Sequence, residues 1–321
     1  MTTEVGPQNV FMDRFALEPK VQRIWGVPHA TWFTLMGIGG GMFVLTHVGN
    51  LQTQLGLFLG LPVADLVSFL AIAVGGVILI ADLGHPLRFW RAVLNPGTSW
   101  ISRGAIADFV FLGAGALLIA ADLRIGDARP FSFLPWDSRA ETGWGMAIET
   151  VALVSAVVVT FYAGQVLAAP RSIPYWNSWA VPAQFVLSSA ASAAAILMLL
   201  QVISGHAGGT ALLRVTVISL ALLLLVTAWH LGTGREAPGK SNSLATLLRG
   251  DQRMQFLGGV LGVGSVLPLV IAVIGLAAPN AREIAAVLCF ALTVPAGFML
   301  RLITLRVGIF PPVRSMLPVM R

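Results

Sequence analysis

The sequence predicts an all-α integral membrane protein with eight transmembrane helices, grouped as two four-helix bundles. Three observations predict it. Of 321 residues, 56% are hydrophobic and only 11% are charged, with a mean hydropathy of +0.83; a soluble domain carries about 25% charged residues. Apolar runs of roughly 20 residues recur, each long enough to cross the hydrocarbon core as a helix. The alternation of barrel strands is absent, so helices are the way to satisfy the backbone in lipid.

A polar segment, residues 1–27, comes first and lacks the charged-then-apolar pattern of a signal peptide, so the first span is expected to be retained. Spans follow at 29–49, 61–81, 104–122, 143–168, 180–203, 210–232, 256–278 and 284–308, within a membrane domain of residues 28–309 and before a tail of residues 310–321. The first span carries Gly37-Ile38-Gly39-Gly40-Gly41, read as small residues that let helices approach closely. The fourth ends near Tyr162. The last contains Cys289, the one cysteine of the protein, read as a small buried hydrophobe. One thiolate cannot hold an iron–sulfur cluster, and the absence of CxxCH argues against covalent haem. The long connections are 82–103, 123–142 and 233–255.

An even number of spans puts both ends of the chain on one face. Fifteen of the 20 Lys and Arg fall on that face, namely Arg14, Lys20, Arg23, Arg88, Arg91, Arg103, Arg171, Arg235, Lys240, Arg249, Arg253, Arg301, Arg306, Arg314 and Arg321. Arg124, Arg129, Arg139, Arg214 and Arg282 fall on the other. The bias places the termini in the cytoplasm. The net charge of +6 is explained by topology and anionic lipid, not nucleic acid.

The densest chemistry lies at Asp82-Leu83-Gly84-His85-Pro86-Leu87-Arg88-Phe89-Trp90-Arg91, closed by Asn95-Pro96-Gly97-Thr98-Ser99-Trp100. Lipid solvates neither an Asp nor Arg88, Arg91 and Arg103, so this loop belongs at a membrane face, against a partner, a polar cofactor head or lipid phosphates. Ionisable groups at membrane depth mark functional sites by default. His29, Trp32, Asp82, His85, Arg88, Asp108, Tyr162, His230 and Arg301 gather in the half nearer the chain ends. Such a set suits a quinone head, with a His or Asp for proton exchange, donors for the carbonyl oxygens and aromatic walls. Plainer readings stand beside it: Asp82 and Arg88 as an interfacial ion pair, Arg301 as a snorkelling side chain, Tyr162 as a belt aromatic, and His47 and His206 as helix-end residues. Asp65 and Glu149 lie in the other half, either as isolated helix-end acids or, with Asp108, on a proton route. Bis-His haem needs two His at one depth on facing helices. His47 and His230 lie at opposite depths, so haem is disfavoured and no metal is expected in this protein.

The 82–100 stretch resembles the NrfD/PsrC family of polysulfide-reductase-type membrane subunits. Trp32 to Gly41, Tyr162-Ala163-Gly164 with Pro174-Tyr175-Trp176-Asn177, and Arg301 agree with it, and the likeness extends over essentially the whole chain. The resemblance implies a haem-free anchor in the prokaryotic inner membrane that binds a quinone, menaquinone or ubiquinone, near one face. It implies a docked four-cluster iron–sulfur subunit and, through it, a molybdopterin or other redox subunit, with electrons passing between the quinone pool and the clusters. Carried over by residue, it assigns His29, Trp32, Asp82, Arg88 and Tyr162 to the quinone and the loop with His85, Arg91, Trp100 and Arg103 to the partner. Relatives carry His where this chain has Trp32, and His29 lies one turn earlier here. A structural anchor without quinone chemistry and a secondary transporter are the alternatives.

Overall fold

The computed structural model describes residues 19–135, 143–206, 209–234 and 239–311. Most of the polar N-terminal segment and of the tail, with Arg14, Arg139, Arg235, Arg314 and Arg321, lie outside the described residues. Among the described residues, eight helices are long and apolar enough to span a membrane. They are α1 (Val27–Val48), α2 (Val63–Ala81), α3 (Trp100–Asp122), α4 (Gly143–Ala168), α5 (Ala180–Ile203), α6 (Thr210–Gly232), the span Met254–Ala277 and the span ending in α9 (Arg282–Arg306). A short helix, α7 (Lys240–Leu248), precedes the seventh span, which starts as a π-helix over Met254–Val266 and continues as α8 (Leu267–Ala277). Inside the π-helix the Ser265 hydroxyl donates to the Val260 carbonyl five residues back, at 2.8 Å.

The hydropathy pattern places the spans well, because a transmembrane helix is bounded by the same apolar run that defines it. The third departs. α3 starts at Trp100, not 104, because Ser99 caps it, accepting from the Ser102 amide at 3.3 Å. Trp100 and Arg103, expected in the loop, therefore belong to the first turn of α3. The loop itself winds into a 3-10 helix, Pro86–Leu94, with no buried residue.

α1 is the most enclosed span and packs against α2, α4, α5 and α9. Its glycine run serves three of these neighbours at once. A methyl group at Gly39 would strike Ser68 and Ile72 of α2, one at Gly40 would strike Ala156 and Thr160 of α4, and one at Gly37 would strike Ser189 of α5. Close approach, the reading given to this run, is thus the observed arrangement. Because α1 touches both early and late helices, the protein forms one continuous body, and the division into two bundles stays an expectation.

The two ends of the described chain meet on one face. β1 (Lys20–Val21) pairs antiparallel with β4 (Ile309–Phe310). A second small hairpin, β2 (Leu57–Phe58) with β3 (Leu61–Pro62), lies between α1 and α2 on the other face. Gln22 fastens the first strand down, its amide nitrogen donating to the Leu305 carbonyl at 2.7 Å and to the Trp25 carbonyl at 2.9 Å. The Trp176 indole donates to the Thr304 carbonyl at 2.7 Å, tying the α4–α5 connection to the end of α9.

Candidate functional site

Pro28 opens α1, where its missing N–H costs nothing. The first two turns then place His29 and Trp32 three residues apart, on one face of the helix. The Trp25 ring lies 4.8 Å from the His29 ring and 5.9 Å from Phe33. Trp32 packs on Tyr162 of α4, with centroids 5.9 Å apart and planes 24° apart. The result is an aromatic shelf between the chain-end face and the middle of α1.

Behind the shelf lies a carboxyl–phenol pair. Tyr162, 1% exposed, donates its hydroxyl to Asp108 Oδ2 of α3 at 3.0 Å. The ring fits because α3 offers Gly104 opposite it; a Cβ there would overlap the ring carbons. Gly104 passed unnoticed in the sequence. Its only signal is a spacing of four from Asp108, which puts both on one face of α3.

His29 Nε2 lies 3.2 Å from Asp82 Oδ2, at the C-terminal end of α2. This corrects the expected Asp82–Arg88 pair: Arg88 is exposed on the 3-10 helix, and the partner of Asp82 is His29. Three polar atoms around the shelf are buried without a hydrogen-bond partner, namely His29 Nδ1, Trp32 Nε1 and Asp108 Oδ1. An indole N–H only donates, and a carboxyl oxygen accepts. Buried polar atoms are normally paired, so the set is suited to a planar ligand with exocyclic oxygens. A cavity of about 420 Å³ opens beside it, lined by Lys20, Arg23, Trp25, Ile173 and Trp176, with Trp25 as the wall shared with His29.

The remaining expected residues separate. Arg301 does not snorkel. It is 1% exposed and donates to the Ser188 and Ser189 hydroxyls at 3.1 and 2.6 Å and to the Gly297 and Phe185 carbonyls at 2.8 and 3.1 Å. Neutral dipoles thus hold its charge, which removes it from the loop charge count. His230 is buried, bonds the Tyr175 carbonyl at 3.1 Å and stacks on the Tyr175 ring. Burial pushes the Tyr175 phenol well above its ordinary value and lowers the Lys240 ammonium on α7. Arg103 closes the 82–100 loop on itself, donating to the Pro96 and Gly97 carbonyls at 2.7 and 2.9 Å and lying over the Trp100 ring. His85 and Arg91 remain exposed beside it, as do Leu87 and Trp90.

The three acids expected on one proton route split into two places. Asp108 belongs with Tyr162. Asp65 and Glu149 both meet His47, at 3.1 and 2.5 Å, in the half away from the chain ends. They are not isolated helix-end acids, and His47 is not a bland helix-end residue. The sequence puts His47, Asp65 and Glu149 in the same half, but nothing local shows that they meet, because they lie on three helices.

Comparison with known proteins agrees with this architecture. The profile of the polysulphide reductase NrfD family matches residues 17–312. The protein is 26% identical over 272 residues to protein NrfD of Escherichia coli K12, an alignment spanning 77% of this protein and 84% of that one. It is 25% identical over 266 residues to the C component of the polysulfide reductase of Wolinella succinogenes, spanning 77% and 82%. It is 22% identical over 288 residues to the C component of the selenate reductase of Mesobacillus selenatarsenatis, spanning 77% and 66%.

Proposed function

From the premise that this chain belongs to the polysulphide reductase NrfD family, we propose that it is the quinone-binding membrane anchor of a multi-subunit oxidoreductase in a prokaryotic inner membrane. The observation that carries the reading is the set of unpartnered atoms on the shelf, His29 Nδ1, Trp32 Nε1 and Asp108 Oδ1. A quinone carries two carbonyl oxygens on a flat ring, and Trp32 Nε1 is a donor for one of them; with the Nε2 proton directed at Asp82, His29 Nδ1 accepts from a quinol hydroxyl and donates to a quinone carbonyl once protonated. Trp32, backed by Tyr162, walls the ring. A bound quinol supplies two electrons and two protons.

The protein's own groups handle the protons. His29 exchanges a proton at Nδ1 while Asp82 holds Nε2 and fixes the tautomer. The Tyr162 proton is engaged with Asp108, so this pair orients the shelf and Asp108 Oδ1 takes up or returns a proton. Trp32 contributes a donor that does not titrate. Arg88, away from Asp82, joins Arg91 on the exposed 3-10 helix and His85 just before it as the docking face for an iron–sulfur partner, while Trp100 and Arg103 hold that loop in shape. Two relatives are named as parts of a polysulfide and a selenate reductase, which supports a redox partner here. The Lys and Arg bias puts the docking face in the cytoplasm.

The test is titration of the purified protein in nanodiscs with a naphthoquinone analogue. Wild type is expected to bind, and Trp32→Phe and His29→Asn to weaken binding about tenfold, ~1.4 kcal/mol each. Equal affinity in all three proteins overturns the site.

A further inference from the structure

The half of the molecule away from the chain ends holds a second ionisable cluster that the quinone reading leaves unused. His47, in the last turn of α1, sits between carboxylates from two other helices. Its Nε2 lies 3.1 Å from Asp65 Oδ1 in the first turn of α2, and its Nδ1 lies 2.5 Å from Glu149 Oε1 of α4. The Gln52 amide approaches the same Nδ1 at 3.2 Å. Side-chain exposure rises outward, from 3% at His47 to 14% at Asp65 and 30% at Glu149. On the inner side the Phe43 ring lies flat over the imidazole at 4.0 Å, and Phe111 meets Phe43 edge-on.

Counting protons shows what such a cluster does. A neutral imidazole donates from one nitrogen only, whereas here both nitrogens face a carboxylate. Both contacts are made when the imidazole is protonated and both acids are ionised, a state of net charge −1. One further proton, on the outer oxygen of a carboxyl group, makes the cluster neutral and leaves both contacts intact. No Lys or Arg forms an ion pair with these acids among the described residues. From α3, Asp122 lines the same narrow cleft as Asp65, and the Arg124 side chain lies beyond it beside Gly60. Glu149 is the group that water reaches.

The cluster is separate from the shelf. Trp32 and His47 are 15 residues apart on α1, about 22 Å at the helical rise, and no titratable residue lies between them on that helix. We propose that His47, Asp65 and Glu149 form a proton-binding site that exchanges one proton with the water on the face opposite the chain ends. The site stands independently of quinone binding. The proton arrives from hydronium at Glu149 Oε2, forms an O–H bond there, and leaves by the same route.

The experiment is infrared difference spectroscopy of the full-length protein in nanodiscs across a pH titration. Wild type is expected to gain, among its protonated-carboxyl stretches, one band that belongs to Glu149. Glu149→Gln is expected to delete that band. His47→Gln is expected to move its midpoint by a tenfold or greater change in proton concentration, because the imidazolium charge is gone. Should His47→Gln not fold, judged by its melt, Asp65→Asn reads the same coupling. A wild-type spectrum without the band, a band that survives Glu149→Gln, or a midpoint indifferent to both coupling variants overturns the proposal.

Discussion

Replacing Tyr162 by Phe removes one hydroxyl and strands a buried carboxyl group. The Tyr162–Asp108 bond is 3.0 Å long, both side chains are buried, and Asp108 Oδ1 has no partner to compensate. A hydrogen bond to a charged group contributes about 1.5–3 kcal/mol, and an orphaned buried acceptor bears most of that loss. Gly104 still accommodates the ring, so no cavity larger than the missing oxygen arises. Asp108→Asn keeps an oxygen that accepts from Tyr162 and costs about 0.5–1.5 kcal/mol. In the double variant the second change strands less, so the two effects overlap by most of the smaller one, about 0.5–1.5 kcal/mol. The assay is thermal unfolding of the four proteins in detergent, where about 2 °C corresponds to 1 kcal/mol for a protein of this length. Tyr162→Phe is expected to melt about 3–6 °C below wild type. Additivity within about 0.5 kcal/mol would show that the two side chains act independently and refute the pairing.

Three further outcomes are expected. Gly104→Ala forces the Tyr162 ring away and costs about 1–3 kcal/mol, whereas Gly113→Ala on the same helix, with nothing within 4 Å of its Cβ, is neutral or stabilising by up to ~1 kcal/mol; equal melts for the two would remove the steric account. Arg301→Lys loses the fork that reaches Ser188, Ser189, Gly297 and Phe185 together and lowers stability by about 2 kcal/mol, read by thermal unfolding; an unchanged melt would show that a point charge suffices. Joint replacement of Arg88 and Arg91 by Ala leaves the melt within about 0.5 kcal/mol, since both are exposed, but reduces co-purification of a redox partner; undiminished co-purification would place docking elsewhere.

How much of this was legible beforehand follows the range of each interaction. Span positions at 143–168, 180–203 and 210–232 match α4, α5 and α6, because transfer into lipid sums over neighbouring residues. The start of α3 departs from the hydropathy boundary, since Ser99 accepts one hydrogen bond from the Ser102 amide and caps the helix there. His29, Trp32, Asp82 and Tyr162 were legible as candidates because polar groups stand out against lipid. Their partners were not: Asp82 meets His29 and not Arg88, and Asp108 meets Tyr162 across 54 positions.

The sequence alone determined the class, the number of crossings, the shared face of the chain ends and the family likeness, all of which rest on composition and local pattern. Only the tertiary structure decided that Gly104 makes room for a ring on another helix, that Arg301 turns inward to hydroxyls and carbonyls, and that His47 joins Asp65 to Glu149. The physical reason is that hydropathy belongs to a segment, whereas a hydrogen bond between helices belongs to their packing, which no single segment encodes.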